Sequence, residues 1–306
     1  MRRRALGSDG PEVSVVGLGC NNFGGRLALD GTRAVIDAAL DAGITFFDTA
    51  DVYGNGGGSE ELLGRVLEGR REQVVLATKF GMDMGDGTIA RGARSYVRKA
   101  IDASLRRLRT DHVDLYQYHR PDGVTPFEET FGALDELVGE GKVRHLGHSN
   151  LSARDVEEVD ALARSGGTAR PVSAQNEYSL LRRDVEADLL PTCERLGIGF
   201  LPYFPLASGL LTGKYKRGAP RPEGARLSDR EDVFTDEKFD RIAALERFAA
   251  DRGVGLLTVA IGGLAAQPAV ASVIAGAMKP EQVRANVRAG DWVPSPDDLA
   301  ALNEIR

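Results

Sequence analysis

The chain has 306 residues, with 39 Lys and Arg against 45 Asp and Glu and a formal net charge of −6. This mild acidity gives no electrostatic reason to bind nucleic acid or an anionic membrane. The two cysteines, Cys20 and Cys193, form no CxxC, which argues against a disulfide framework or thiolate zinc site and predicts free thiols in a reducing, cytoplasmic compartment.

In chain order, MRRRALGSDGPEVSVVGLG predicts a short hairpin across Ser8-Asp9-Gly10 that leads into a first strand, VVGLG. The basic start is not followed by the apolar stretch of a secretory signal, and no apolar run nears the roughly 18 residues of a membrane span. Further strands are predicted at TFFDT, VVLATKF, VDLYQYH, VRHLGHS, VSAQNEY, GFLPYF and VASVIAG. Amphipathic helical segments lie between them, among them RAVIDAALDAG with its closing Gly43, SEELLGRVLEG, ARSYVRKAIDASLRRLR and SARDVEEVDALARSG. Eight strands alternating with helices predict an α/β chain folded over residues 1–306 as a single (β/α)8 barrel, with an N-terminal hairpin. An open doubly wound sheet would carry a glycine fingerprint after an early strand, and GLGCNNFG fails GxGxxG at Asn22. GLLTGKY likewise fails the P-loop pattern. After the seventh strand, residues 205–236 show little periodicity, and so long a loop predicts a lid over a ligand, with a solvated middle at KRGAPRPEGAR.

In such a barrel the chemistry gathers where the strands end at their C-termini. Here the strand ends carry Asp48, Lys79, His119, Ser149-Asn150, Gln175-Asn176 and Tyr203, a ring of polar groups. Asp48, Lys79 and His119 fall on adjacent strands, and Tyr53 follows Asp48 by a short turn. Asp48 is expected to keep a buried Lys79 charged, and that ammonium to lower the pKa of Tyr53. Tyr53 then serves as a general acid, with His119 donating a hydrogen bond to the same substrate oxygen. Delivery of a proton to a developing alkoxide is what reduction of a carbonyl requires.

With FFDTADVYG, TKFG, YQYHRPD, GHSN, AQNEYS, PYFPLASGLLTGKY and IAGAMKPEQVRAN in that order, the sequence resembles the aldo-keto reductase superfamily over nearly its whole length. The resemblance implies a barrel that uses NADPH without a Rossmann domain, with a catalytic tetrad at Asp48, Tyr53, Lys79 and His119. It implies that Ser149, Asn150 and Gln175 hold the nicotinamide carboxamide and that Tyr203 stacks on the ring, leaving its other face free to pass hydride. It further implies pyrophosphate contacts from Leu206, Ser208 and Lys214. Gly276 opens the next segment, where Lys279 would meet the 2′-phosphate, with Gln282 near it and Asn286 on the adenine. Pro280 suits the first turn of a helix there, and a helix N-terminus favours an anion.

Three positions depart from the family pattern: His148, expected to pack near the cofactor, Phe204, and Gln282, where many members carry arginine, so that NADH is an alternative cofactor. His145 and His148 are expected to face opposite sides of their strand, which argues against a metal site. The substrate pocket is expected to use Asn21, Asn22, Phe23, Met82 and Arg120, a lining suited to a polar or modest-sized carbonyl compound. Two other readings are a regulatory subunit that binds cofactor, as some relatives do, and a Schiff-base lyase acting through Lys79. The chain begins close to the hairpin with no partner-docking tail, which disfavours the first. Asp48 beside Lys79 disfavours the second. The sequence does not choose between a monomer and a homo-oligomer.

Overall fold

The computed structural model describes residues 1–220, 227 and 233–305. Strands β1 (Arg3–Ala5) and β2 (Glu12–Ser14) pair antiparallel as the predicted hairpin. Eight parallel strands follow: β3 (Val16–Gly19), β4 (Phe46–Asp48), β5 (Val75–Phe80), β6 (Val113–Tyr118), β7 (Val143–Ser149), β8 (Pro171–Gln175), β9 (Gly199–Phe200) and β10 (Val273–Gly276). Their order in the sheet is β10-β3-β4-β5-β6-β7-β8-β9. Hydrogen bonds from Phe200 N to Ala269 O (2.7 Å), from Ala271 N to Phe200 O (2.9 Å) and from Ile274 N to Pro202 O (3.1 Å) join the last strand back to the first and close the ring. β9 is shorter than GFLPYF suggests, because Pro202 has no N–H to extend the ladder.

The helices pack outside the sheet. They are α1 (Leu29–Asp41), α2 (Tyr53–Val66), α3 (Arg94–Leu108), α4 (Phe127–Gly139), α5 (Ala153–Gly166), α6 (Leu189–Leu196), α7 (Asp236–Asp251), α8 (Leu256–Ala265), α9 (Pro280–Gly290) and α10 (Pro296–Glu304). Ser152 and Ser295 open α5 and α10 with reciprocal capping boxes to Asp155 and Asp298. The predicted amphipathic faces meet the strands in one continuous apolar layer. Among the described residues no single helix is long and apolar enough to cross a membrane.

A second, smaller core fills the barrel itself. Leu6 and Val13 of the hairpin close its floor beneath Phe46, Ala77, Leu115, Val172 and Leu201. Side chains of a strand alternate between its two faces, so each interior residue is followed two positions later by another. Phe46, Ala77 and Leu115 are therefore followed by Asp48, Lys79 and Gln117. An apolar floor carries a polar ceiling, and the ceiling is the site. Gly147 admits this layer to β7: a Cβ there would stand 2.2 Å from Ser173 Oγ and 3.0 Å from Gln117 Cγ.

The long connection after β9 begins with a tight turn at Ala207–Thr212, in which Ser208 and Gly209 have φ of 56° and 100°. Leu210 and Leu211 anchor it in the core. The second half of the predicted solvated middle, residues 221–226, lies outside the described residues, as do residues 228–232 of the same loop.

Candidate active site

Asp48 ends β4 with its carboxylate buried. Its Oδ2 accepts from Lys79 Nζ at 2.7 Å, and its Oδ1 accepts from Gln175 Nε2 at 2.9 Å and Gln117 Nε2 at 3.1 Å. Lys79 is inaccessible to solvent, and its ammonium also donates to Thr49 O at 2.8 Å and lies 5.0 Å from the centroid of the Tyr53 ring. Two of the three lysine donors are thus engaged. Burial alone would lower the pKa of Lys79, yet Asp48 and Tyr53 hold it above its ordinary value. A Schiff-base nucleophile must be neutral and reachable, and Lys79 is neither.

Tyr53 itself overturns one expectation. Burial raises its pKa by more than Lys79 lowers it, and Asp48 raises it further, so the net shift is upward rather than toward neutrality. The ammonium is already balanced by the carboxylate 2.7 Å away and has little field to spare. The hydroxyl therefore carries its proton throughout the neutral range. That state suits an acid meeting an alkoxide, which is a far stronger base than a phenolate.

The turn after β4 holds the ring in place. Residues 54–57 run through positive φ values of 71°, 64°, 87° and 114° before the regular part of α2 begins. Only glycine enters such a run freely, and Asn55 is among the few other residues that tolerate it. A Cβ on Gly54 would lie 2.6 Å from both Phe23 O and Ser59 N. His119 meets the Tyr53 ring edge-on, with centroids 5.8 Å apart. Burial, Lys79 and Arg120 hold its pKa well below the usual histidine value, so the imidazole is neutral and offers one N–H donor.

Behind Tyr53 stands a buried acid that the sequence reading missed. Asp51 has one carboxyl oxygen without a partner, and burial together with Glu60 raises its pKa to about 7. Glu60 is held by Arg107 at 2.6 Å and Thr78 at 2.5 Å. Folded Asp51 keeps its proton to about pH 7, whereas the unfolded chain releases it near 3.8. The stability it contributes is fully present below that lower value and is lost as pH rises toward 7. Asp51→Asn is expected to melt above wild type by an amount that grows by about 3 °C between pH 5 and pH 8. A melting difference independent of pH would contradict this.

The remaining site residues line a cleft of about 730 Å³ at the C-terminal ends of the strands. Asn150, Gln175 and Tyr203 stand together: the Tyr203 hydroxyl donates to Asn150 Oδ1 at 2.8 Å, and both amide hydrogens of Gln175 are taken by Asp48 and Gln117. The carbonyl oxygen of Gln175 is left as an acceptor. Ser149 lies behind the surface, where its hydroxyl donates to Gln175 O at 2.7 Å and accepts from Asn150 at 3.0 Å, so it orients its neighbours rather than reaching the cleft. Leu206, Ser208 and Lys214 border the cleft from the turn after β9. A Cβ on Gly209 would come within 2.9 Å of Lys214 Nζ, so glycine there lets the lysine fold across the turn. Gly276, Lys279, Gln282 and Asn286 border it after β10. Lys279 is the N-cap of α9, with Pro280 at the first helical position, and the Gln282 side chain turns back to accept from Met278 N at 2.7 Å.

Asn21, Asn22, Met82 and Arg120 also border the cleft. Phe23 does not: it is fully buried in the outer core, because its turn folds inward under Gly54. His148 is corrected in the same way. It faces away from the barrel, is wholly buried, and has a pKa lowered to about 4 by burial. Gln117, like Asp51, is a residue the sequence reading lacked, and its signal was its place two residues before His119, on the inner face of β6.

The donor set fits an anionic dinucleotide. Arg26, Lys214 and Lys279 line the cleft, whereas Asp48 is its only carboxylate among the described residues and is already paired. A cleft this positive on a chain of net charge −6 is a local arrangement for phosphate.

Comparison with known proteins agrees with this fold. Residues 15–306 match the model of the Aldo/keto reductase family, and the chain belongs to that family. It is 35% identical over 305 residues to a protein of Oryza sativa subsp. japonica named as a probable voltage-gated potassium channel subunit beta, covering 96% of this chain and 92% of the relative. A protein of the same name from Arabidopsis thaliana matches with equal identity and coverage.

Proposed function

We propose that the protein is an NADPH-dependent reductase of aldehydes and ketones. The observation that carries this reading is the buried Lys79–Asp48 pair beside Tyr53, whose hydroxyl keeps its proton and presents it next to His119. When bound, the reduced nicotinamide supplies hydride to the carbonyl carbon. Asn150 and the Gln175 side-chain carbonyl oxygen would hold its carboxamide, oriented by Ser149, and Tyr203 would lie against the ring. Leu206, Ser208 and Lys214 meet the pyrophosphate. Gly276, Lys279 and Asn286 receive the adenosine end, where Lys279 carries the choice of NADPH over NADH because the Gln282 oxygen is committed to Met278 N. Tyr53 delivers its proton to the substrate oxygen, and neutral His119 holds that oxygen in line. Buried free thiols at Cys20 and Cys193 suit a reducing cytoplasm.

Calorimetric titration tests the cofactor assignment. Lys279→Ala is expected to weaken NADPH by about tenfold and NADH by much less, the loss of one charge-assisted contact to phosphate. Equal weakening of both would remove Lys279 from the 2′-phosphate.

The names of the two plant relatives favour a second reading, a regulatory subunit that binds cofactor with little turnover. Steady-state oxidation of NADPH across a panel of aldehydes separates the two. Turnover that depends on Tyr53 supports the enzyme, and tight binding without turnover supports the subunit.

A further inference from the structure

We propose that the carbonyl substrate bears a carboxylate and that Arg120 is the residue that recognises it, an inference that rests on the reductase reading above. Arg120 follows His119 beyond the end of β6 and lines the cleft with Tyr53 and Met82. It is exposed, and among the described residues its guanidinium makes neither a hydrogen bond nor an ion pair, so its five donors are free. The acids around it are already committed. Asp48 belongs to Lys79, and Glu177 is held by Arg182 at 2.6 Å. Asp122 is occupied by the N–H groups of Gly92, Val124 and Thr125 and by the Thr125 hydroxyl, at 2.7–2.9 Å. The charge of Arg120 is nonetheless felt at both His119 and Tyr203.

Its position separates it from the cations assigned to the cofactor. In the ring β6 lies four strands from β10, and so across the barrel mouth from Lys279. One phosphate cannot serve both. His119 and Arg120 are consecutive, with Cα atoms about 3.8 Å apart. A carbonyl held by Tyr53 and His119 and an anion held by Arg120 therefore belong to one small molecule. A guanidinium presents a fork that matches a carboxylate bidentately. The substrate class is aldehydes and ketones with a carboxylate a few bonds from the carbonyl. In the reaction the carbonyl carbon gains hydride from the reduced nicotinamide, which is oxidised, and the oxygen gains the Tyr53 proton. The carboxylate is unchanged.

The test compares 4-carboxybenzaldehyde with its methyl ester, methyl 4-formylbenzoate, as substrates with NADPH. Wild type is expected to prefer the acid in kcat/KM by roughly 10- to 100-fold, the range of a charge-assisted hydrogen bond. Arg120→Gln should lose that preference, chiefly through KM, and Arg120→Lys should keep part of it. NADP+ affinity, measured on each variant, reports an intact fold. Calorimetry of 4-carboxybenzaldehyde with the NADP+-loaded protein supplies a readout that does not need turnover. An acid no better than its ester in wild type, or a preference that survives Arg120→Gln, overturns the proposal and leaves the reductase reading standing. If neither aldehyde is reduced but the acid binds in an Arg120-dependent way, the recognition site stands and the reductase reading fails. Absence of both turnover and binding overturns the proposal.

Discussion

Tyr53→Phe is expected to bind NADPH as wild type does and to reduce carbonyls about 10³-fold more slowly, the middle of the range for a lost general acid. The phenyl ring keeps its edge-on contact with His119 and its place over Lys79, whose ammonium lies 5.0 Å from the ring centroid. What disappears is the one hydroxyl that holds the transferable proton. The variant's cofactor affinity should therefore be unchanged. Single-turnover oxidation of bound NADPH measures the chemical step without interference from product release. A loss smaller than tenfold would assign the proton to another group and return Tyr53 to a structural role.

Lys79→Met should have the largest effect on stability, about 3–5 kcal/mol, because it strands the Asp48 carboxylate in the barrel. Asp48 keeps the amide donors of Gln117 and Gln175, which offset only part of that loss. The cause can be separated from packing with a double variant. In Asp48→Asn/Lys79→Met no buried charge is left unpaired, and much of the lost stability should return while reduction stays absent. Chemical denaturation of the wild type, Lys79→Met and the double variant decides it. A double variant no more stable than Lys79→Met would show that the cost lies in packing rather than in the charge.

The architecture was legible because strand and helix periods alternate in the sequence, and because β4 and β5 each carry a charged residue two positions after an apolar one. Phe46 before Asp48 and Ala77 before Lys79 carry the floor and the ceiling of the barrel in their spacing. The three-dimensional balance of charge was not legible in that way. Adjacency of Lys79 and Tyr53 predicted a lowered tyrosine pKa, but the net sign depends on how completely Asp48 neutralises the lysine and how deeply the ring is buried. Phe23 and His148 were misplaced because a turn and a strand each have two faces, and the neighbouring residues do not mark which face is turned to the cleft. Asp51 reads as an ordinary turn residue until its neighbour Glu60, nine positions on, is seen to share its pocket. Gln117 passed as a strand residue, although the same two-residue step that links Ala77 to Lys79 links it to His119.

The central claim, that this cleft passes hydride to a carbonyl, is tested most directly by isotope transfer. The protein is given 4-nitrobenzaldehyde with NADPH deuterated at C4, in two samples labelled on one ring face or the other, and the alcohol is analysed by mass spectrometry. With Tyr203 covering one face, deuterium is predicted at the carbinol carbon from one sample and hydrogen from the other. Alcohol labelled equally from both samples would contradict the placement of the nicotinamide, and bound NADPH that never yields alcohol would contradict the reductase itself.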